Sequence, residues 1–225
     1  MTNFSQKPIL ITGLPRSGTS MVAGVLSASG AWSGSTVQGN EANPKGFFEH
    51  IILREKVVKP ILEQLKVDPL GVRSVPNLQP DTKIEQLGAM IYNIIKSDNY
   101  AEKQPWLFKD AKLTLIWPIF VNAFPKAQWV IVRRPIERVI DSCLKASFMQ
   151  QHSESRDFWQ QVMTAYLKKL EELTKTAKNV ICIDTDRIIN GNTSITQQLV
   201  EQCGLTYDQN IIDSFVDKQH WHHHQ

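Results

Sequence analysis

Four short apolar runs alternate along the sequence with longer segments whose apolar residues recur every three or four positions. The short runs have the length of β-strands, and the longer segments have the periodicity of amphipathic helices. Strands separated by helices pair in parallel, and the helices then cover the faces of the sheet. The pattern therefore predicts an α/β fold of three layers, in which helices flank a central, mostly parallel sheet. The predicted strands cover residues 8–12, 106–108, 128–132 and 180–183.

The helical segments are bounded by periodicity and by proline. Residues 156–175 predict one long helix with a single apolar face, and residues 84–95 predict a shorter helix. Pro60 and Pro118 should kink or end the helices in which they fall, because proline lacks an amide proton and clashes with the preceding turn. The predicted apolar face of the long helix consists of Phe158, Val162, Tyr166, Leu170 and Leu173.

Length and charge limit the class of protein. The chain has 225 residues and shows no internal boundary or repeat, so we expect one domain over residues 1–225. No run approaches the ~18 apolar residues of a membrane-spanning helix, so we expect no membrane partner. The net charge of +3 is too small to indicate a nucleic-acid surface, although it is compatible with a basic pocket for an anion.

The cysteines and the two ends of the chain suggest a reducing compartment. Cys143, Cys182 and Cys203 lack the spacing of metal ligands, and we interpret them as reduced, buried thiols. The beginning of the sequence lacks the pattern of a signal peptide, so we expect a cytoplasmic protein. We interpret residues 217–225, which include several histidines, as a tail, and we assign no metal.

Residues 31–48 form a polar stretch with several glycines and a proline. The stretch is too long for a tight connection between two elements. It therefore predicts a mobile functional loop.

The strongest local signal is a glycine-flanked loop between an apolar strand and a helix that begins near Met21. Gly13 and Gly18 permit unusual backbone dihedral angles, so that successive amide protons and the positive end of the helix can converge on an anion. The spacing matches the nucleoside-triphosphate loop, except that Thr19 stands where that loop has its lysine. Because that lysine contacts the β- and γ-phosphates, its absence, with Arg16 inside the loop, indicates a different phosphorylated ligand.

A second segment again runs from a strand through a basic turn into a helix. Arg133 ends the apolar run, where a guanidinium is well placed to bind a phosphate, and Pro135 suits the start of a helix. Ser142, about two turns into that helix, approaches the same ligand if it lies on the right face. Taken alone, the segment is equally compatible with a solvated basic turn.

Together these segments resemble the PAPS-dependent sulfotransferases, which use 3'-phosphoadenosine 5'-phosphosulfate (PAPS). Residues 13–20 resemble the family's 5'-phosphosulfate loop, and the second segment resembles its 3'-phosphate site. Arg133 matches the family's arginine, but Asp141 occupies the more usual spacing of its serine, and Arg134 replaces a common acidic or polar residue. By this resemblance, the nucleotide would be bound by Gly13, Pro15, Arg16, Ser17, Gly18, Thr19, Ser20, Arg133 and Ser142.

Lys109 lies at the end of the second predicted strand, where its ammonium would neutralise charge on the transferred group. Family members often have a proline shortly after this lysine, where this chain has Ala111. A solvated lysine at a strand end is the simpler alternative.

Transfer to an acceptor also requires a base, and residues 40–50 offer three candidates. We favour Glu49, because Phe47 and Phe48 precede it and would raise its pKa by excluding water. A glutamate in the first turn of a helix is equally well explained by the helix dipole. His50 is the second candidate and Glu41 the third.

The resemblance implies a sulfotransferase that transfers a sulfuryl group from PAPS to a hydroxyl or amine of a small molecule or carbohydrate. The product would be 3',5'-diphosphoadenosine, and no metal would be required. Two alternatives remain open: a P-loop kinase or nucleotide hydrolase, with Asp184 as its magnesium-linked carboxylate, and a non-catalytic nucleotide-binding module. The acceptor and the oligomeric state do not follow from the sequence.

Overall fold

The computed structural model describes residues 6–39 and 45–215. Its sheet contains β1 (Ile9–Gly13), β2 (Leu107–Lys109), β3 (Gln128–Arg133) and β4 (Val180–Asp184). The strands lie in the order β2-β1-β3-β4, and every pair is parallel. The predicted α/β fold with a parallel sheet is confirmed.

Each strand ends one residue later than the sequence predicts. The added residues are Gly13, Lys109, Arg133 and Asp184. Since the strands are parallel, all four residues lie at the carboxyl edge of the sheet, where open α/β sheets bind their ligands.

The two faces of the sheet are covered by different helices. Leu10, Trp129 and Ile131 belong to a core on one face, whereas Ile11 and Val130 belong to a second core on the other. This alternation follows from the two-residue period of a strand, and it confirms the three layers. The helices are α1 (Thr19–Ala28), α2 (Ile51–Leu53), α3 (Lys59–Gln64), α4 (Leu87–Ser97), α5 (Trp117–Ala123), α6 (Ile136–Lys145), α7 (Ser147–Gln150), α8 (Arg156–Thr176), α9 (Thr185–Ile189), α10 (Thr193–Gln202) and α11 (Gln209–Phe215).

Helix boundaries follow local capping more closely than apolar periodicity. The long helix α8 is confirmed, and the hydroxyl of Ser155 caps it by accepting a hydrogen bond from the Phe158 amide at 3.3 Å. Helix α1 begins at Thr19, before the predicted Met21, because Gly18 adopts the left-handed conformation of its cap. Helix α4 begins three residues later than predicted, after Gln86, whose φ is 61°.

Both prolines lie at the beginning of a helix. Pro118 is in the first turn of α5, and Pro60 is in the first turn of α3. A π-helical turn, Arg54–Val58, connects α2 to α3 just before Pro60. For Pro118 the missing amide proton is tolerated, since the first amides of a helix have no partner within it. Pro60 differs, because the helical run continues through the π-helical turn and the Lys59 amide donates to the Arg54 carbonyl.

Helix α11 packs directly against α1. The ring of Phe215 fills the space above Gly24, where a β-carbon would overlap it. The same ring lies 5.8 Å from the ring of Phe48, and the Lys45 ammonium lies 5.0 Å from its centroid and donates a hydrogen bond to the Phe215 carbonyl. Glycine in the interior of a helix is otherwise unfavourable, so Gly24 is explained by this contact.

Two segments of the predicted functional loop pair with each other. Residues 35–37 lie antiparallel to residues 47–51, and we call these two segments the acceptor hairpin. The Val37 amide donates to the Glu49 carbonyl at 2.9 Å, and the Ile51 amide donates to the Ser35 carbonyl at 2.9 Å. The predicted mobility of the loop stays a prediction, and residues 40–44 lie outside the described residues.

Two expectations about the whole chain can be compared with the described part. No helix there is long and apolar enough to cross a membrane. Cys143 and Cys203 are buried, and burial raises the pKa of each thiol to about 12. Cys182 is exposed, so the prediction of burial is wrong for this residue, which lies on the outermost strand β4.

Candidate functional site

The loop after β1 begins with a tight turn. The Ser17 amide donates to the Leu14 carbonyl at 3.1 Å, with Pro15 and Arg16 as the central residues. Arg16 has a φ of 67°, which is the left-handed region that L-residues rarely adopt. A non-glycine residue in this region marks backbone strain, which is concentrated at functional sites.

The residues that directly follow β3 and β4 contact the backbone of this loop. Thr185 donates to the Ser17 carbonyl at 2.9 Å, and Arg134 donates to the Arg16 carbonyl at 3.4 Å. Arg134 is buried, and its Nε lies 3.5 Å from a carboxylate oxygen of Asp186. The arginine that departs from the family pattern therefore supports the backbone of the phosphate loop.

Close packing beneath the loop explains Gly13. A β-carbon there would lie 2.6 Å from the Val132 carbonyl oxygen and 2.9 Å from Ser17 Oγ. Such contacts are far below normal van der Waals distances. Gly13 therefore allows β1 and β3 to bring the loop and the end of β3 together.

The loop has polar groups that are available to a ligand. Ser17 is fully buried, and its Oγ has no hydrogen-bond partner in the described part of the chain. A buried hydroxyl without a partner is costly, so its presence is explained by a ligand that completes it. Helix α1 begins at Thr19, which presents its first amides and the positive end of its dipole to the same place. These features fit an anion.

The two predicted phosphate-binding segments meet in the structure. Arg16 Nε donates to Ser142 Oγ at 3.1 Å, and Ser142 is buried. Asp141, one residue earlier on α6, is half-exposed and forms an ion pair with Arg156. The structure therefore places Ser142, and not Asp141, beside the loop.

Arg133 lies at the carboxyl edge of the sheet, next in sequence to Arg134. Arg133 is the last residue of β3, half-buried, and its side chain makes no hydrogen bond or ion pair within residues 6–39 and 45–215. Arg16, in contrast, is bonded to Ser142 and lies 5.8 Å from the centre of the Phe148 ring. The predicted role of Arg133 in binding a phosphate stays a prediction.

Ser20 connects the phosphate loop to the acceptor hairpin. Its hydroxyl donates to the Phe47 carbonyl at 3.2 Å. The contact joins the first turn of α1 to the segment that leads to Glu49. Its predicted role in binding the nucleotide stays a prediction.

Lys109 and Glu49 form an ion pair at the carboxyl edge of the sheet. Lys109 Nζ lies 3.0 Å from Glu49 Oε1, and the two side chains are 4% and 14% exposed. Arg54 Nε lies 3.5 Å from Glu49 Oε2. Since Lys109 pairs with Ile11 in the sheet, this ion pair lies next to the strand that carries the phosphate loop.

A second buried pair lies just beyond Lys109. Lys112 Nζ is 3.1 Å from Asp110 Oδ1, and the Asp110 side chain is fully buried. Burial lowers the pKa of Lys112, but the carboxylates of Asp110 and Glu49 outweigh burial and raise it. Lys112 therefore remains a cation and adds to the positive charge around Glu49.

The expected effect of the aromatic residues on Glu49 is wrong. Burial alone would raise its pKa, but the charges of Lys109, Lys112 and Arg54 outweigh burial and hold the pKa below its ordinary value. The neighbouring Phe48 packs against Phe215. Glu49 is therefore a carboxylate at neutral pH.

The expected helical position of Glu49 is also wrong. Helix α2 begins at Ile51, and His50 is its capping residue, so Glu49 precedes the helix. The carboxylate is consequently fixed by its cations and by the hairpin, not by a helix dipole.

His50 is enclosed by the protein, and both ring nitrogens face groups of the chain. It is 1% exposed, its Nδ1 accepts a hydrogen bond from the Leu53 amide at 3.3 Å, and its Nε2 lies 3.2 Å from Asp98 Oδ2. The candidate role of His50 as base therefore has no geometric support. Glu41 lies outside the described residues.

Asp184, the carboxylate of the kinase alternative, has a structural role. It caps α9 by accepting a hydrogen bond from the Asp186 amide at 2.9 Å. Capping accounts for this residue without a metal.

Several residues of the site were not found from the sequence. They are Arg54, Lys112, Asp110, Asp98, Ser35 and Thr185. The Lys-Asp-Ala-Lys sequence at residues 109–112 was a signal for the second ion pair. Asp98 had no local signal, because its partners Ser35 and His50 are 63 and 48 residues away. Thr185 had none either, because its partner Ser17 is 168 residues away.

Comparisons with known proteins agree on one class. A model of the sulfotransferase family matches residues 8–209 of the chain. A search of curated protein sequences found no match. The protein therefore belongs to the sulfotransferase family and is a transferase.

Solved structures show the same fold at low sequence identity. The sulfotransferase STF1 from Mycobacterium tuberculosis H37Rv is similar with a TM-score of 0.55 and 16% identity, over 93% of this chain and 70% of that chain. The sulfotransferase domain of the olefin synthase from Synechococcus PCC 7002 has a TM-score of 0.53 and 13% identity, over 92% of this chain and 77% of that chain. The sulfotransferase domain of the curacin biosynthetic pathway has a TM-score of 0.54 and 16% identity, over 92% of this chain and 76% of that chain.

Proposed function

We propose that the protein transfers a sulfuryl group from PAPS to a hydroxyl or amine of a small-molecule or carbohydrate acceptor. The observation that carries the proposal is the hydrogen bond between Arg16 and Ser142, at 3.1 Å. It joins the 5'-phosphosulfate loop to the 3'-phosphate segment, which are 126 residues apart in the sequence. A ligand with two phosphate groups would contact both.

The 5'-phosphate would be bound by the loop after β1. The amides that follow the Arg16 turn, the Ser17 hydroxyl, which has no partner among the described residues, and the beginning of α1 offer hydrogen-bond donors to one anion. Gly13, Pro15, Gly18, Thr19 and Ser20 would shape the loop around it. This set lacks the lysine that a nucleoside triphosphate requires.

The 3'-phosphate would be bound by Arg133 and Ser142. The Arg133 guanidinium has the planar donor geometry that binds phosphate bidentately. Ser142 already accepts a hydrogen bond from Arg16, so its own hydroxyl proton is available to the phosphate.

The transfer step would use Lys109 and Glu49. When bound, PAPS supplies a sulfuryl group whose bond to the 5'-phosphate oxygen breaks with the electron pair left on that oxygen. Lys109 stabilises the charge at this oxygen, and the acceptor's oxygen or nitrogen forms the new bond to sulfur. The ionised Glu49 takes the proton that the acceptor loses.

Calorimetric titration with 3',5'-diphosphoadenosine in EDTA tests the donor. We expect metal-independent binding, since the chain supplies the cations itself. Binding of ATP with magnesium, and no binding of the diphosphate in EDTA, would overturn the proposal in favour of a kinase.

Labelled PAPS and a panel of alcohols, phenols, amines and sugars test the transfer. We expect label on at least one acceptor class and loss of that label in Glu49→Gln. Nucleotide binding without transfer to any class would support the alternative of a binding module.

A further inference from the structure

A carboxylate outside the pair of Glu49 and Lys109 contacts both segments of the acceptor hairpin. Asp98 follows the end of α4 and accepts hydrogen bonds from the Ser35 amide at 2.6 Å and the Ser35 hydroxyl at 2.7 Å. Its second contact is His50 Nε2 at 3.2 Å. Ser35 and His50 belong to opposite segments of the hairpin, so Asp98 joins them at one point.

The protonation of His50 follows from its partners. Because Nδ1 accepts from the Leu53 amide, the ring proton of the neutral imidazole lies on Nε2, which is 3.2 Å from Asp98 Oδ2. Burial lowers the pKa of His50 and outweighs the opposing effect of Asp98. The imidazole is therefore neutral. Its contact with Asp98 fixes His50, which is the residue next to Glu49 in the sequence.

The hairpin fixes Glu49 between two backbone contacts. The Glu49 carbonyl accepts from Val37, and two residues later the Ile51 amide donates to Ser35. The side chain of Glu49 lies with one oxygen 3.0 Å from Lys109 and the other 3.5 Å from Arg54. A shift of the hairpin would therefore move the carboxylate relative to both cations.

Gly34 shows how tightly the contact is built. Its φ is +64°, and a β-carbon there would lie 2.5 Å from Asp98 Oδ2, 2.6 Å from Trp32 and 2.8 Å from His50. Only glycine lets the backbone approach the carboxylate and the imidazole this closely.

We propose that Asp98 is a positioning residue for Glu49 and acts through His50 and Ser35. The proposal rests on the proposed function, in which Glu49 is the base. Asp98 does not contact the reacting atoms; it fixes the hairpin so that Glu49 faces Lys109 and the acceptor. A displacement of about 1 Å in a catalytic group costs about 10²-fold in rate, so such a residue has a measurable effect.

Three variants separate positioning from folding. Asp98→Asn keeps the size of the side chain and removes its charge. His50→Asn retains a good helix cap for α2 but loses the link to Asp98. Ser35→Ala removes one hydroxyl contact and keeps the backbone bond, so it is the mildest change. Asp81→Asn, at an exposed position, is the control for loss of one negative charge.

The primary readout is the titration of the Glu49 carboxyl, followed by carbon NMR and assigned with Glu49→Gln. The charged groups that face Glu49 are Lys109, Lys112, Arg54 and the carboxylate of Asp110. In Asp98→Asn and His50→Asn the carboxyl moves away from Lys109, so its pKa rises towards the ordinary value of 4.5. Ser35→Ala shifts it in the same direction by less, and Asp81→Asn leaves it unchanged.

The second readout is activity. We expect a turnover about 10- to 100-fold lower in Asp98→Asn and His50→Asn, with an unchanged affinity for 3',5'-diphosphoadenosine. A Glu49 titration that matches the parent in all three variants would overturn the positioning role. If the parent itself fails to bind the diphosphate, the proposed function falls, while the titration still decides whether Asp98 positions Glu49.

Discussion

The phosphate loop and the acceptor hairpin border the same edge of the sheet, but they are built differently. The loop is one continuous segment between β1 and α1, and its key residues lie within eight positions. The hairpin is held from outside, by Asp98 from the end of α4 and by Lys109 from the end of β2. The residues of the loop are therefore close together in the sequence, whereas Glu49 contacts Lys109 60 positions away and Ser35 contacts Asp98 63 positions away.

This difference predicts that the two regions respond separately to mutation. A change at the hairpin should affect turnover and spare nucleotide affinity. A change at the loop or at α6 should lower the nucleotide affinity and affect turnover less.

The largest expected effect is that of Lys109→Met on turnover. Removal of one charged donor from a transition state costs about 10²- to 10³-fold in rate. Steady-state kinetics with labelled PAPS should show this loss, and calorimetry should show little change in the affinity for 3',5'-diphosphoadenosine. An equal loss of affinity and turnover would mean that Lys109 binds the nucleotide, and the separation would fail.

Arg133→Ala should weaken binding of 3',5'-diphosphoadenosine about 30- to 100-fold. Hydrogen bonds to charged groups contribute about 1.5–3 kcal/mol each, and Arg133 has no partner in the described chain that would compensate. Calorimetry measures the affinity, and thermal unfolding should be unchanged for the same reason. Lys175→Ala, at an exposed position at the end of α8, is the control for net charge and should bind like the parent.

Ser142→Ala should weaken binding about 3- to 10-fold, as expected for one hydrogen bond. Asp141→Ala should stay within about twofold, because Asp141 is half-exposed and pairs with Arg156. Fluorescence or calorimetric titration of the two variants decides the register of the 3'-phosphate site. A larger effect at Asp141 would show that α6 presents the other position.

The smallest effect concerns stability against acid. The pKa of Glu49 is lower in the folded protein than its ordinary value of 4.5, because its cations outweigh burial, so the charged form stabilises the fold. This stabilisation is complete above the unfolded pKa and is lost as the pH falls through the lower folded pKa. Urea unfolding between pH 6 and pH 3 should show a shallower loss of stability in Glu49→Gln than in the parent. A parallel decline in both would mean that the ion pair with Lys109 contributes nothing.

The sequence predicted the fold well because short apolar strands and amphipathic helices are local patterns. Each strand was nonetheless ended too early, because the last residue is polar or glycine and departs from the apolar run. Those last residues, among them Lys109 and Arg133, are the ones that line the site. When a strand is predicted from an apolar run, a charged residue that directly follows the run should therefore be counted as part of the strand.

The surroundings of Glu49 were not predictable from its neighbours in sequence. Two preceding aromatic residues suggested a raised pKa, but Phe48 packs against Phe215 and the carboxylate is surrounded by cations from β2 and the π-helical turn. Similarly, nothing local distinguishes His50 as a buried helix cap. Electrostatics of this kind depends on contacts that only the fold creates.

The packing of Phe215 on Gly24 affects how the chain folds during its synthesis on the ribosome. A ribosome releases α1, with the phosphate loop, about 190 residues before the ring that covers its glycine. Until then the face of α1 around Gly24 lacks its cover, and the nascent chain exposes apolar surface there. Ribosome-bound chains truncated before α11 should therefore recruit chaperones and be cleaved by proteases near α1, whereas chains that include it should be protected.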